Sequence, residues 1–223
     1  MYHESVIYHV YNQSINYELL FREHGNYHFF LNKLRRHIMP LADILCYCLM
    51  PDHFHLMLKP KAAGCAPSRC GRFLRADEDD TEVKFQQELS HAFKIALSSY
   101  AKAINRQYRR RGSLFRAKTK AKPAYHAFYP EAASISELES FTRFIPYLQT
   151  CFHYIHDNPT KAKLATDPLD WEFSSDLDYA GWRDSNLCNF DVTERLLGIE
   201  RTPDKTGPGG SPSGKYASGR LPQ

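Results

Sequence analysis

Apolar and polar positions change period several times along the chain, and each change marks an element. Val6-Ile7-Tyr8-His9-Val10-Tyr11 is β-branched and aromatic and predicts a first strand. Gly25 and Asn26 then precede a stretch in which Phe30, Leu31, Leu34 and Ile38 keep helical spacing, closed by Pro40. Asp43 to Met50 predicts a second strand, Pro51-Asp52 a turn, and His53 to Lys59 a third strand hairpinned to the second. Residues 60–80, with Gly64, Pro67, Gly71 and the acidic cluster Asp77 to Asp80, predict a surface loop. A long helix follows over Thr81 to Arg110, its stripe formed by Leu89, Phe93, Leu97, Tyr100, Ile104 and Tyr108 and its end set by Gly112.

Leu114 to Tyr125 alternates basic residues with small or apolar ones and predicts a fourth strand with Arg116, Lys118, Lys120 and Lys122 on one face. Ser134-Ile135-Ser136-Glu137 is a capping box for another helix, which Pro146 should kink or break and which should stop near Pro159. The order β-α-β-β-α-β predicts an α+β fold. Its core is a ferredoxin-like or RRM-like antiparallel sheet with helices on one face, plus a further C-terminal helix. Residues 160–200 should be ordered but irregular, anchored by Trp171, Phe173 and Trp182. From about Arg201 there is almost nothing to bury, and disorder is expected. The expected organisation is a catalytic domain over 1–180, an extension over 181–200 and a tail over 201–223.

Composition narrows the class. Apolar residues make up 43% and charged residues 24% of the chain, as in soluble globular proteins, and no apolar run is long enough to span a membrane. The first residues lack the charged and apolar regions of a signal peptide, so a cytoplasmic location is expected. Six scattered cysteines then predict free thiols, and the spacing of Cys65 and Cys70 is poor for zinc.

Net charge is only +4, but it is unevenly spread. Residues 89–130 hold Lys94, Lys102, Arg106, Arg109, Arg110, Arg111, Arg116, Lys118, Lys120 and Lys122 with no Asp or Glu, leaving 19 basic against 25 acidic residues elsewhere. A solvated basic helix is the plain reading. The absence of interleaved acids favours a polyanionic partner contacted by these ten residues. Tyr100, Tyr108 and Phe115 could stack on unpaired bases or belong to the core.

The chemistry concentrates in Leu49-Met50-Pro51-Asp52-His53-Phe54-His55-Leu56-Met57-Leu58. Side chains at i and i+2 share a strand face, so His53 and His55 project together, about 7 Å apart along the chain, while Phe54, Leu56 and Leu58 point into a core. Two imidazoles on one strand are half of a divalent metal site. In Phe152-His153-Tyr154-Ile155-His156-Asp157-Asn158-Pro159, a helix puts Tyr154 and Asn158 on one stripe with Tyr147 and Cys151, beside an apolar stripe of Leu148, Phe152 and Ile155. Such a helix could offer a phenol and an amide oxygen to the histidines, a donor set that suits Mg²⁺ or Mn²⁺. Each feature alone has a structural reading: a histidine pair within a sheet, one more core tyrosine, an Asn-Pro helix stop, His153 and His156 facing solvent.

Pro-Asp-His-Phe-His-Leu, the basic helix ending in Arg-Arg-Gly-Ser-Leu-Phe-Arg and the later Tyr-Ile-His-Asp-Asn-Pro, in that order, resemble the single-tyrosine HUH transposases, most closely their REP-associated tyrosine transposase branch. The resemblance spans about residues 5–180. It implies metal-dependent cleavage and joining of single-stranded or hairpin DNA through a 5′-phosphotyrosine. By the resemblance His53 and His55 are metal ligands, Tyr154 is the nucleophile and Asn158 completes the metal site. Tyr147 is the reserve nucleophile. The family often has Asn where this chain has Asp52, whose carboxylate could tune the site or cap the turn. The proton of the phenol could go to a metal-bound hydroxide, a substrate phosphate or His156. The branch implies a monomer, its insertion-sequence relatives a dimer. The alternative from another class is a non-catalytic RRM-like nucleic-acid-binding module, which would tolerate EDTA; a metallohydrolase using activated water would form no protein–DNA adduct.

Overall fold

The strand order places the first strand between two partners and decides which histidines can meet. The computed structural model describes residues 1–68, 73–74, 84–125 and 145–203, with only the backbone at 73–74 and 84–85. The elements are β1 (Tyr8–Gln13), α1 (His24–His37), β2 (Ala42–Met50), β3 (His53–Pro60), α2 (Ala62–Cys65), β4 (Phe73–Leu74), β5 (Lys84–Phe85), α3 (Glu88–Gln107) and β6 (Lys120–Pro123). They are followed by α4 (Ile145–His156), α5 (Asn158–Lys161), a 3₁₀ turn (Pro168–Asp170), α6 (Asp176–Tyr179) and α7 (Phe190–Leu197). The main sheet runs β2-β3-β1-β6, antiparallel throughout, and β4 and β5 form a separate ribbon. This is the ferredoxin-like arrangement, an α+β fold.

Register assigns the faces. Val10 opposes Leu56, Tyr8 opposes Leu58 and Asn12 opposes Phe54, so these side chains share one face. Helices α1 and α3 pack together over it, with Phe30 5.1 Å from Phe54 and 5.1 Å from Tyr100 between ring centres. The opposite face carries Tyr11 across from His55 and Gln13 across from His53, and α4 lies over it against β2 and β3. Leu148, Phe152 and Ile155 are buried in that contact, as their stripe predicts. The sheet therefore separates two core helices from the tyrosine-bearing one.

Residues 171–189 wrap the free edge of β2. Trp171 Nε1 donates to Leu49 O at 2.9 Å, Leu49 N to Phe173 O at 2.9 Å, and Asn189 N to Ile44 O at 2.8 Å. Phe173 stacks on Tyr27 of α1 at 3.7 Å on one side of the sheet, and Tyr179 packs edge-on against Phe152 of α4 at 4.9 Å on the other. Trp171 and Phe173 are anchors as expected, whereas Trp182 is largely exposed. Within this segment buried Asp178 binds Arg183 through two bonds of 2.8 and 2.9 Å, so a charge at the centre of the wrap is compensated. Helix α7 packs on α4 and β2, and Thr202 N bonds Tyr179 O at 2.8 Å, so order continues past Arg201; the rest of the tail lies outside the described residues.

Several boundaries differ from the sequence reading. Gly25 and Asn26 lie inside the first turn of α1, where the Asn26 amide oxygen accepts from Arg22 N at 3.1 Å. Helix α3 starts at Glu88, because residues 84–85 are already paired with 73–74 as strand. It ends at Gln107, before Gly112; the reversal falls on Arg109 (φ 51), with Arg110 N bonded back to Asn105 O at 2.9 Å. The predicted fourth strand shrinks to Lys120–Pro123, since Leu114 and Phe115 are drawn into the core instead of alternating. The predicted loop after β3 opens with one helical turn, α2. Pro146 sits in the first turn of α4, where a missing N–H costs nothing and no kink is needed. Pro159 likewise sits in the first turn of α5, which continues the chain beyond the predicted stop. The 134–137 capping box lies outside the described residues.

Candidate active site

The turn between β2 and β3 is built rigidly. Ser14 N donates to Asp52 O at 2.8 Å, and Leu20 N and Phe21 N both donate to Pro51 O, at 2.7 and 3.1 Å. His53 and His55 leave this turn on one face, their ring centres 5.0 Å apart and their planes perpendicular. Each ring has its Nδ1 engaged. His53 Nδ1 lies 2.6 Å from Asp52 Oδ1, and His55 Nδ1 lies 2.8 Å from His9 Nε2. Asp52 is itself held by Gln13 Nε2 at 3.3 Å, and its contact with His53 lowers the carboxyl pKa. Burial lowers His55 well below the ordinary imidazole value and His9 to about 4, so both are neutral near pH 7.

Tyr154 comes to this cluster from α4. Its ring centre lies 6.0 Å from His55 and 6.1 Å from His9, edge-on to both. Burial raises the phenol pKa further above its ordinary value. Lys161 places its ammonium 4.6 Å from the Tyr154 ring centre, one element later, and also pairs with Asp157 at 3.5 Å. Asn158, the first residue of α5, turns its amide nitrogen back onto α4, donating to Tyr154 O at 2.8 Å and Ile155 O at 3.3 Å. These bonds fix the end of α4 and leave the amide oxygen as the atom able to ligate.

His156 belongs elsewhere. It is buried, contrary to the solvent-facing reading, and its Nε2 lies 2.7 Å from Ser175 Oγ, with Asp176 Oδ1 3.4 Å from Nδ1. This is a Ser-His-Asp set in composition, but Ser175 Oγ also takes Tyr47 N at 2.8 Å and has no exposure. It fastens α4 to the β2 edge, two residues round the helix from Tyr154. His153 faces solvent and Tyr147 is half-buried.

Two imidazoles with their Nδ1 atoms engaged present their Nε2 atoms, the arrangement in which outer-shell partners orient metal ligands. Among the described residues no three His, Cys, Asp or Glu side chains form a group that could hold a metal ion. The histidine pair fits a metal that takes imidazole and leaves positions to oxygen. Cys46, Cys48, Cys65, Cys151 and Cys188 are free thiols.

The basic set divides. Lys120 opposes Tyr11 and Lys122 opposes His9, which places both on the histidine face. Lys94, Lys102 and Arg116 line a cleft of about 650 Å³ between α3 and residues 112–119, with Phe93 and Leu97 on its wall. Arg106, Arg109, Arg111 and Lys118 are exposed. Arg110 is instead tied to Glu18 through bonds of 2.7 and 2.6 Å. Tyr100 and Phe115 are buried in the core, and Tyr108 is half-buried with Arg22 over its ring.

His9 and Lys161 were not singled out from the sequence. The alternation of β1, which puts His9 and Tyr11 opposite Tyr8 and Val10, was a usable signal for His9. For Lys161 the helical spacing was hidden by Pro159.

No protein-family model matches this chain, and no curated protein matches it. Among solved structures, one described as the REP-associated tyrosine transposase bound to a REP hairpin aligns with a TM-score of 0.46 and 13% identity, over 93% of this chain and 91% of that one. At that similarity no residue role carries across. Among the described residues no helix is long and apolar enough to cross a membrane.

Proposed function

We propose that this chain is a metal-dependent enzyme that nicks and rejoins single-stranded or hairpin DNA, a transposase of the single-tyrosine HUH kind acting as a monomer. The observation that carries the reading is the approach of one phenol, Tyr154, to within about 6 Å of His55 and His9, on the face that also bears His53. Mg²⁺ or Mn²⁺ held by His53 and His55, with Asn158 as the oxygen ligand, would supply Lewis-acid stabilisation of charge on a phosphate.

The protein's own groups do the rest. The Tyr154 oxygen attacks phosphorus as the bond to the 3′ oxygen breaks, giving a 5′-phosphotyrosine and a 3′-hydroxyl. The phenol proton is lost, and the departing oxygen gains one. Because the phosphodiester is conserved, attack by another 3′-hydroxyl reverses the step without ATP. Burial raises the phenol pKa, so Tyr154 starts protonated and must give up its proton during the attack. Lys161, close to the ring face, lowers the cost of the developing phenolate. His156 is buried with its Nε2 engaged by Ser175, which argues against its taking that proton. Lys120 and Lys122 supply positive charge to a strand crossing the histidine face.

The deciding experiment is a denaturing gel of the protein with labelled single-stranded hairpin DNA and Mn²⁺. A covalent adduct is expected for the parent. It should be absent in Tyr154→Phe, whose DNA binding should persist, and full cleavage by Tyr154→Phe would reject the assignment. A second reading, a non-catalytic nucleic-acid-binding module, is favoured by the lack of a complete His, Cys, Asp or Glu cluster among the described residues. DNA binding indifferent to EDTA and to His53→Ala/His55→Ala, with no adduct from the parent, would establish it.

A further inference from the structure

The geometry points to His9 as a positioning residue that holds His55 in its Nδ1–H form and so turns the Nε2 lone pair of His55 outward. The inference rests on the metal-site reading above and concerns a residue outside that donor set. His9 Nε2 and His55 Nδ1 are 2.8 Å apart, and the rings lie nearly parallel at 5.0 Å. Both side chains are at most 9% exposed, so water does not compete for the contact. A contact of this length between two ring nitrogens is a hydrogen bond, so a single proton lies between them.

The neighbouring histidine shows what the proton's position decides. Asp52 can only accept, so His53 Nδ1 carries a proton and, in the neutral ring, the lone pair lies on Nε2. If His9 accepts in the same way, His55 Nε2 is also a lone pair, and two matching donors stand on one face. If His9 donates instead, His55 presents an N–H to an incoming cation and the pair is broken. Strand order makes this contact available: His9 opposes Met57, two residue pairs along from the Tyr11–His55 pair, and reaches His55 diagonally.

The test uses the full chain, metal-free and labelled with nitrogen-15 in the histidine rings, as parent, His9→Phe and His9→Gln. Phenylalanine keeps a stacked ring and removes the acceptor; glutamine returns an acceptor oxygen. Long-range ring correlations should place the His55 proton on Nδ1 in the parent and in His9→Gln, and move it to Nε2 in His9→Phe. Calorimetry with Mn²⁺ should show affinity falling roughly 10–100-fold in His9→Phe and recovering in His9→Gln. An Nε2–H form of His55 in the parent overturns the inference. So does an unchanged tautomer in His9→Phe, or an equal loss of affinity in both variants, which would mark a packing role. Mn²⁺ binding that survives His53→Ala/His55→Ala would reject the metal site itself, a failure separate from that of the His9–His55 contact.

Discussion

Asp52 Oδ1 lies 2.6 Å from His53 Nδ1 and turns the carboxylate of the β2–β3 turn into a partner of the first histidine. The carboxylate reaches the ring of His53, while the backbone oxygen of the same residue accepts from Ser14 N.

Replacing Asp52 with Ala should leave the fold intact and weaken Mn²⁺ binding roughly 10–100-fold, the usual effect of losing an outer-shell partner. Calorimetry on Asp52→Ala beside the parent measures it. Equal affinities would show that the carboxylate only shapes the turn.

The cleft cations should act through the nucleic-acid backbone. Lys94→Ala/Lys102→Ala/Arg116→Ala should lower affinity for single-stranded DNA at low salt and flatten the slope of log K against log salt by about 2, near 0.7 per phosphate contact. Fluorescence anisotropy across a salt series reads this. Arg110→Ala should behave differently, because its guanidinium is spent on Glu18 and holds that carboxyl below the ordinary range. It should leave the slope alone and cost about 1 kcal/mol of stability, as for a well-formed, partly exposed pair. A parental slope in the triple variant would exclude the cleft from DNA binding.

Asp176 gives the fold a pH dependence. Burial pushes its carboxyl up to about 6, above the ordinary value of 3.8. The folded state therefore binds the proton more tightly than the unfolded chain. Its contribution to stability is full below about 4, declines as pH rises through about 6 and is flat beyond. Asp176→Asn should remove this decline and raise stability above pH 6 by on the order of 1 kcal/mol, discounted for the partial exposure of the group. Urea midpoints for both proteins across this range check it; a constant difference between them at every pH would refute the assignment.

Much of the fold was legible because it depends on local period. Phe54, Leu56 and Leu58 face the core as their alternation requires, and the α4 stripe of Leu148, Phe152 and Ile155 is buried as its helical spacing requires. The errors fall where local pattern competes with long-range contact. Leu114 and Phe115 look like strand residues but are taken by the core beneath α3, and Arg110 looks like one more free cation but meets Glu18, distant in sequence. His156 looked exposed because nothing in its own helix predicts Ser175 and Asp176 beside it.

The sequence alone determined the main strands and long helices, their order, the shared face of His53 and His55, and the stripe that carries Tyr154. These follow from backbone periods of two and about 3.6 residues, which neighbouring side chains make visible. Tertiary structure alone decided that β1 lies beside β3, so that His9 touches His55, and that α4 crosses the face opposite α1 and α3, so that Tyr154 approaches both rings. Strand neighbours and helix placement are set by which apolar surfaces close on each other across the whole chain, and no stretch of local sequence contains that choice.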